Sequence, residues 1–271
     1  MKSTVFSIDG TALRQAELPA AFNEEVDFGL IKRAVLAIRS ARRRSYGPDP
    51  RAGRNNTAEY IGARHYPTPM RSINTGRARK PRLRNRRFLL YGRVAGIPAT
   101  VGGPKAHPPK VEANLREMIN KKEKQKATRS ALAATAVKEM VRERGHVFDE
   151  SKIKSTPVII EEKFESIQKS KEVAEILEKL GLMMDIERAK SKRQKRAGKG
   201  KKRGRKYKKR KSILIIVSKP KLPLTSAARN FEGVDIVTAG LVNAEQLAPG
   251  ARAGRLTIIT ENALKMLEEK K

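Results

Sequence analysis

The stretch GRARKPRLRNRR, from Gly76 to Arg87, places seven basic residues in twelve positions without one acidic residue. A hydrophobic core cannot hold these side chains, and like charges at this density repel one another unless an anion lies among them. The planar guanidinium group of arginine pairs with phosphate through two hydrogen bonds and also stacks on bases. The chemistry that this stretch indicates is therefore recognition of a nucleic-acid backbone.

A second basic stretch, AGKGKKRGRKYKK from Ala197 to Lys209, is rich in lysine and contains a tyrosine. Every tyrosine of the chain lies in one of the two basic parts of the sequence: Tyr46, Tyr60, Tyr66, Tyr91 and Tyr207. Aromatic faces among cations suit bases that are splayed out of a folded RNA, while arginine and lysine meet the phosphates. Phosphate contacts alone would suit DNA equally well. The sequence shows no helix-turn-helix, zinc finger or heptad-bearing basic region, so we favour RNA.

The charge is concentrated in two segments of the chain, which has 271 residues and a formal net charge of +33. Residues 41–110 hold 14 arginines and 3 lysines against two acidic residues, a net charge of +15. Residues 190–211 hold 10 lysines and 5 arginines and no acidic residue, again +15. The rest of the chain carries only +3. This partition indicates localised recognition rather than a generally basic surface.

Outside these segments the sequence alternates between strand and helix patterns. Short β-branched runs predict strands at Thr4–Ile8, Pro157–Ile160, Ile213–Val217, Val234–Val237 and Leu256–Thr260. Apolar stripes predict helices at Phe28–Arg39 and Lys171–Leu180 and a last helix after Thr260, and an alanine-rich run that ends at Gly145 predicts one at Ser130–Arg144. We therefore expect an α/β fold, a three-layer domain with a mainly parallel sheet, formed by residues 1–40 and 111–271 and carrying a basic insertion at 190–211.

Residues 41–110 do not fit this domain. Nine of the 14 prolines and eight of the 19 glycines fall here, so regular helix or sheet would be interrupted repeatedly. A loop of this length is far beyond the usual connection of about 4–6 residues, which indicates a functional or disordered segment. We expect an extended, basic, RNA-penetrating loop that is mostly disordered until RNA surrounds it.

The patterns of known catalytic and membrane sites are absent from the sequence. It has no cysteine and no GxxxxGK[ST] phosphate loop, and the glycines of GKGKKRG miss the dinucleotide spacing by one residue. The three histidines, His65, His107 and His146, are not spaced as a helical metal pair. The N-terminus lacks the apolar run of a signal peptide, and the longest strongly apolar run, Ile213–Val217, is too short to span a bilayer. We expect no enzyme, no cofactor, no bound metal and no membrane partner.

Several short motifs resemble the universal L-four family of large-subunit ribosomal proteins. They are TGRAR (Thr75–Arg79), PKAHPPK (Pro104–Lys110), RSALAATA (Arg129–Ala136), the lysine-rich stretch Ala197–Lys209, SAARN (Ser226–Asn230) and LAPG…GRLTIIT (Leu247–Thr260). The last three are similar to the archaeal and eukaryotic branch. The chain stops at Lys271 without the C-terminal extension typical of eukaryotic members, so the resemblance is closest to an archaeal-type member.

The resemblance implies a structural component of the large ribosomal subunit in the cytoplasm, which binds its RNA and supports subunit assembly. The long internal loop of this family penetrates the RNA and reaches the wall of the nascent-peptide exit tunnel. The expected partners are large-subunit ribosomal RNA, neighbouring large-subunit proteins and the nascent polypeptide, with no homo-oligomer. A different class of function stays open, that of a free-standing RNA-binding regulatory protein acting on messenger RNA.

The predicted RNA contacts lie in both basic segments. In the loop they are Arg42, Arg43, Arg44, Arg51, Arg54, Arg64, His65, Arg71, Arg77, Arg79, Lys80, Arg82, Arg84, Arg86, Arg87, Lys105, His107 and Lys110. In the insertion they are Lys199, Lys201, Lys202, Arg203, Arg205, Lys206, Tyr207, Lys208 and Lys209. The segment 61–79 lies near the middle of the loop and contains TGRAR, so the resemblance predicts a tunnel-proximal tip with Arg64, His65, Arg71, Arg77 and Arg79.

Overall fold

The computed structural model describes residues 1–60, 78–85 and 89–269. The chain divides into two compact units. The first unit comprises Met1–Arg42 and Glu117–Lys271, and the second unit comprises Arg43–Arg116.

The strands and helices of the described residues follow in chain order. The strands are β1 (Lys2–Phe6), β2 (Ala12–Glu17), β3 (Ala58–Glu59), β4 (Arg82–Leu83), β5 (Val158–Ile160), β6 (Gln194–Lys195), β7 (Tyr207–Lys208), β8 (Leu214–Val217), β9 (Asp235–Thr238) and β10 (Thr257–Thr260). The α-helices are α1 (Phe28–Ala41), α2 (Lys121–Ala136), α3 (Lys138–Glu143), α4 (Ser170–Lys179), α5 (Met183–Ser191), α6 (Pro223–Ala228), α7 (Ala244–Leu247) and α8 (Glu261–Glu269). Short 3₁₀ helices occupy Ala20–Asn23, Glu162–Ser166, Lys199–Arg203 and Ala239–Leu241.

The first unit is built on a six-stranded sheet in the order β2-β1-β5-β10-β8-β9. Strands β1 and β2 form an antiparallel hairpin at one edge, and the four remaining pairs are parallel. The N-terminal strand joins the sheet beside β5, where Val5 aligns with Ile159. The prediction of a mainly parallel sheet is confirmed.

Two hydrophobic cores cover the two faces of this sheet. Leu214 and Ile216 pack in one core with apolar residues of α1, α2 and α8, while Ile213, Ile215 and Val217 pack in the other with residues of α4, α5 and α6. Successive side chains of a strand point to opposite faces, so a strand covered on both faces must be apolar at every position. The consecutive apolar runs in the sequence follow from this arrangement, and the three-layer prediction is confirmed.

Two sequence expectations need correction. The alternating strand and helix pattern predicts that Ile159, Ile215, Ile236 and Ile258 are buried in one sheet. All four do lie in one sheet, but Ile236 is only partly buried because its strand β9 forms the sheet edge. The single helix expected over Ser130–Arg144 is two helices, α2 and α3. They are separated by Val137, whose extended backbone (φ −89°, ψ 108°) ends the first helix.

Candidate nucleic-acid interface

The basic insertion forms a short antiparallel hairpin on the first unit. Strands β6 and β7 pair with Gln194 opposite Lys208, and the 3₁₀ helix Lys199–Arg203 lies between them. The helix ends at Gly204, whose φ of 75° is in the left-handed region that glycine adopts without strain. The hairpin therefore presents exposed cations at its turn, where the described residues 197–206 include no acidic side chain.

Ion pairs hold the base of this hairpin on the first unit. Arg193 and Lys209, which flank the two strands, both contact Glu232, at 3.4 and 3.3 Å. Lys211, just beyond the hairpin, places its Nζ 2.7 Å from Asp235. The cations at the base are thus paired with acidic residues, whereas those nearer the turn remain available for an external anion.

Tyr207 lies beside cations at the base of the hairpin. The guanidinium of Arg193 lies 4.2 Å from the centre of its ring, and the ammonium of Lys206 lies 5.5 Å away. Contacts of this kind are attractive because the ring face is electron-rich. They hold the aromatic ring among the basic side chains, and the predicted contact of Tyr207 with RNA stays a prediction.

In the second unit, Arg82 has an internal structural role. Strand β4 pairs with β3, and the guanidinium of Arg82 donates to the carbonyl oxygens of Gly92 (2.8 Å) and Ala78 (2.9 Å). Arg84 lies 2.6 Å from Glu59. The hydrogen bonds of Arg82 therefore serve the fold of the second unit, whereas the ion pair of Arg84 joins two exposed side chains and contributes little. The predicted contact of both arginines with RNA stays a prediction.

Close backbone packing fixes part of the second unit. Gly53 has a φ of +79°, and a Cβ at this position would lie 2.3 Å from the backbone nitrogen of Pro104. At Gly103 a Cβ would lie 2.0 Å from the carbonyl oxygen of Ile97. Only glycine fits at either position, so two of the loop's many glycines permit backbone segments to meet.

The structure describes 21 of the 27 predicted RNA-contact residues. Arg82 is half-buried and all the others described are exposed: Arg42, Arg43, Arg44, Arg51, Arg54, Arg79, Lys80, Arg84, Lys105, His107, Lys110, Lys199, Lys201, Lys202, Arg203, Arg205, Lys206, Tyr207, Lys208 and Lys209. Arg42 forms an ion pair with Glu245 at 2.8 Å. The predictions for Arg64, His65, Arg71, Arg77, Arg86 and Arg87 lie outside the described residues.

A basic cavity in the first unit was not predicted. It has a volume of about 1020 Å³, and eleven basic and two acidic residues line it. Arg144, directly after α3, contributes a half-buried guanidinium that donates to the carbonyls of Pro249 (2.9 Å) and Arg252. Burial, followed by repulsion from Arg255 and Arg188, lowers the pKa of Arg144 to about 10. We call this site the Arg144 cavity.

His146 also lines the Arg144 cavity, and its imidazole is nearly inaccessible. Nδ1 lies 3.0 Å from Oδ2 of the fully buried Asp185, which also accepts from the backbone of Val147 and from Nε of Arg188 at 2.8 Å. Nε2 has no hydrogen-bond partner among the described residues. Burial, reinforced by repulsion from Arg144 and Arg188, lowers the pKa of His146 against the opposing effect of Asp185, so the neutral imidazole predominates at pH 7. Burial acts to raise the pKa of Asp185, but His146 and Arg188 outweigh it and hold that pKa low.

Arg255, two residues before the start of β10, is the largest fully buried side chain of the described residues. Its guanidinium donates to the carbonyls of Ser212, Ile213, Gly233 and Gln246 at 2.8–3.2 Å. It also pairs with Asp235 at 2.7 Å. This arginine therefore serves the packing of the first unit. An arginine at the start of a strongly apolar strand, in GRLTIIT, is the signal in the sequence that could have indicated a buried, paired cation.

Among residues 1–60, 78–85 and 89–269, no group of three or more histidine, aspartate or glutamate side chains could hold a metal ion. Over the same ranges, no helix is both long enough and apolar enough to cross a membrane.

Comparison with known proteins identifies the family of this chain. The sequence model of the ribosomal protein L4/L1 family matches residues 16–270 of this chain. A protein of Methanopyrus kandleri named large ribosomal subunit protein uL4 is 46% identical over 270 residues, covering 100% of this chain and 99% of the relative. A protein of the same name from Methanocaldococcus jannaschii is 47% identical, covering 100% of this chain and 99% of the relative. Another, from Archaeoglobus fulgidus, is 43% identical, covering 99% of this chain and 99% of the relative.

These relatives confirm the resemblance inferred from the motifs, including its archaeal type. Their names do not favour the free-standing messenger-RNA regulator, and the family is one of ribosomal proteins rather than of enzymes. The match extends over nearly the whole chain. The chain belongs to the ribosomal protein L4/L1 family.

Proposed function

We propose that this chain is a structural component of the large ribosomal subunit in the cytoplasm, where it binds ribosomal RNA and supports subunit assembly. The near full-length similarity to proteins named large ribosomal subunit protein uL4 carries this proposal. The charge distribution agrees with this proposal. Each of the two basic segments carries a net charge of +15, and its like charges repel one another unless an anion such as RNA lies among them. Neighbouring large-subunit proteins are its further partners.

The two basic segments serve RNA binding in different ways. The hairpin of the insertion is fixed at its base by Glu232 and presents exposed lysines and arginines that can neutralise phosphates. The loop 41–110 is dominated by arginine, whose guanidinium binds phosphate and stacks on bases. We expect the loop to order fully only when RNA surrounds it, since it has little apolar surface to offset the entropy of ordering.

The loop tip, residues 61–79, approaches the wall of the exit tunnel and meets the nascent polypeptide. Its middle position in the loop and the TGRAR motif support this assignment. Arg64, His65, Arg71, Arg77 and Arg79 are the side chains that we assign to the RNA or the tunnel. These side chains would contribute positive charge to the tunnel wall and narrow the tunnel at this point. They have no catalytic role.

Cross-linking from a stalled nascent chain tests the proposal. In ribosomes that carry this protein, we expect cross-links from the peptide to residues 55–85. Cross-links to this chain that map only outside residues 55–85 would refute the tip assignment while leaving the ribosomal role intact. Absence of the protein from the purified stalled ribosomes would refute the ribosomal role itself.

A further inference from the structure

The Arg144 cavity holds more positive charge than its acidic residues can neutralise. The two acidic residues that line it already have cationic partners. Asp235 contacts Lys211 and Arg255, each at 2.7 Å, and Glu245 contacts Arg42 at 2.8 Å. Nine further basic residues line the cavity besides Arg42 and Lys211. The lowered pKa of Arg144 reflects the same excess, because burial and neighbouring arginines both disfavour its charge.

Part of this charge is held rigidly. Arg144 is fixed by the carbonyls of Pro249 and Arg252, and Arg188 is fixed by the buried carboxylate of Asp185. Guanidinium groups that are already positioned lose little conformational freedom when they bind an anion. The unpaired Nε2 of His146 adds a buried polar atom to the lining of the same cavity.

Other cations of the cavity are free to reach a ligand. Arg229 and Arg252 are exposed, and neither forms an ion pair within the described parts of the chain. Lys208 and Lys209, at the base of the insertion hairpin, also line the cavity. The cavity is therefore continuous with a segment already assigned to RNA binding.

The lining also indicates the kind of ligand. Small-molecule pockets are mostly apolar, with a few polar groups, and rarely exceed about 1,000 Å³. The Arg144 cavity is as large as this limit, but more than half of its lining residues are charged. A chain of phosphates satisfies many separate cations at once, which a compact anion cannot do.

We propose that the Arg144 cavity is one site at which this chain binds the sugar-phosphate backbone of ribosomal RNA. This inference deepens the proposed function and rests on it. None of Arg144, His146, Arg188, Arg229 and Arg252 belongs to the contacts predicted from the sequence. The phosphates would replace the missing counter-charge among these side chains.

The test is RNA binding by the full chain with the double substitution Arg229→Gln and Arg252→Gln. Both side chains are exposed, so the variant keeps the fold, which its unfolding midpoint verifies. Lys122→Gln with Lys171→Gln is the matched control, because it removes two exposed charges outside the cavity. The probe is a transcript of large-subunit ribosomal RNA, and affinity is measured across a salt series.

We expect the cavity variant to bind about tenfold more weakly at low salt and to show a slope of log K against log[salt] that is shallower by about 1 to 2. The control should change both quantities far less. If the two variants cannot be distinguished, RNA does not occupy the cavity. If the unsubstituted chain binds this RNA no better than an unrelated RNA, the proposed function fails first, and the inference fails with it.

Discussion

Replacing Arg255 with methionine is expected to destabilise the free chain by about 3–5 kcal/mol, a large fraction of the stability of a domain. The substitution removes one of the two cationic partners of Asp235 and takes a side-chain donor away from four backbone carbonyls. The carbonyls of Ile213 and Gly233 keep a backbone N–H donor, so the loss falls mainly on those of Ser212 and Gln246. An unsatisfied buried polar group costs free energy even when the new side chain fills the same space. Urea unfolding of the free chain measures this loss. The midpoint urea concentration should fall, while the slope of the free energy of unfolding against urea concentration should stay the same.

Arg252→Met is the control for this prediction. Arg252 lies three residues earlier on the same segment, but its side chain is exposed. Its removal should change the free energy of unfolding by no more than about 0.5 kcal/mol. Equal effects of the two substitutions would mean that the hydrogen bonds of Arg255 do not stabilise the first unit.

Deleting residues 194–208 is expected to weaken binding to ribosomal RNA on the order of 100-fold at low salt. The deletion removes nine lysines and arginines and retains Arg193 and Lys209, which pair with Glu232. The new junction is short because Gln194 and Lys208 are neighbours in the hairpin, so two glycines can join its ends. Each phosphate contact that is lost should make the slope of log K against log[salt] shallower by about 0.7–0.9.

A second variant separates charge from shape in this prediction. It keeps all fifteen residues and replaces the nine cations with glutamine. If the hairpin acts through phosphate neutralisation, this variant should reproduce the loss of affinity and the shallower slope. An unchanged slope in both variants would identify the hairpin as a solvated insertion that does not touch RNA.

The sheet could be predicted because its residues carry a local signal. The apolar runs around Ile159, Ile215 and Ile258 are short and β-branched, and each falls within two residues of an observed strand. Strand β2 has no such signal, since it lies at the sheet edge and is almost entirely exposed. The short helices α6 and α7 were missed for a similar reason, because six and four residues are too few to show a helical period.

The interface was predictable only in part. Charge density identifies the two basic segments, because clustered cations are visible without any knowledge of the fold. It cannot identify which cations the fold uses internally, as the hydrogen bonds of Arg82 show. Nor can it find the Arg144 cavity, where Arg144, Arg188 and Arg229 come from distant parts of the sequence and meet only through the topology of the sheet.

Co-sedimentation with the large ribosomal subunit in high salt tests the central claim most directly. A structural component, held by RNA around its loop and hairpin, should remain with the subunit after washes that remove loosely bound proteins. The hairpin deletion should leave the subunit at a lower salt concentration than the unaltered chain does. Release of the unaltered chain into the supernatant together with loosely bound proteins would contradict the claim and would favour a free-standing regulator of messenger RNA.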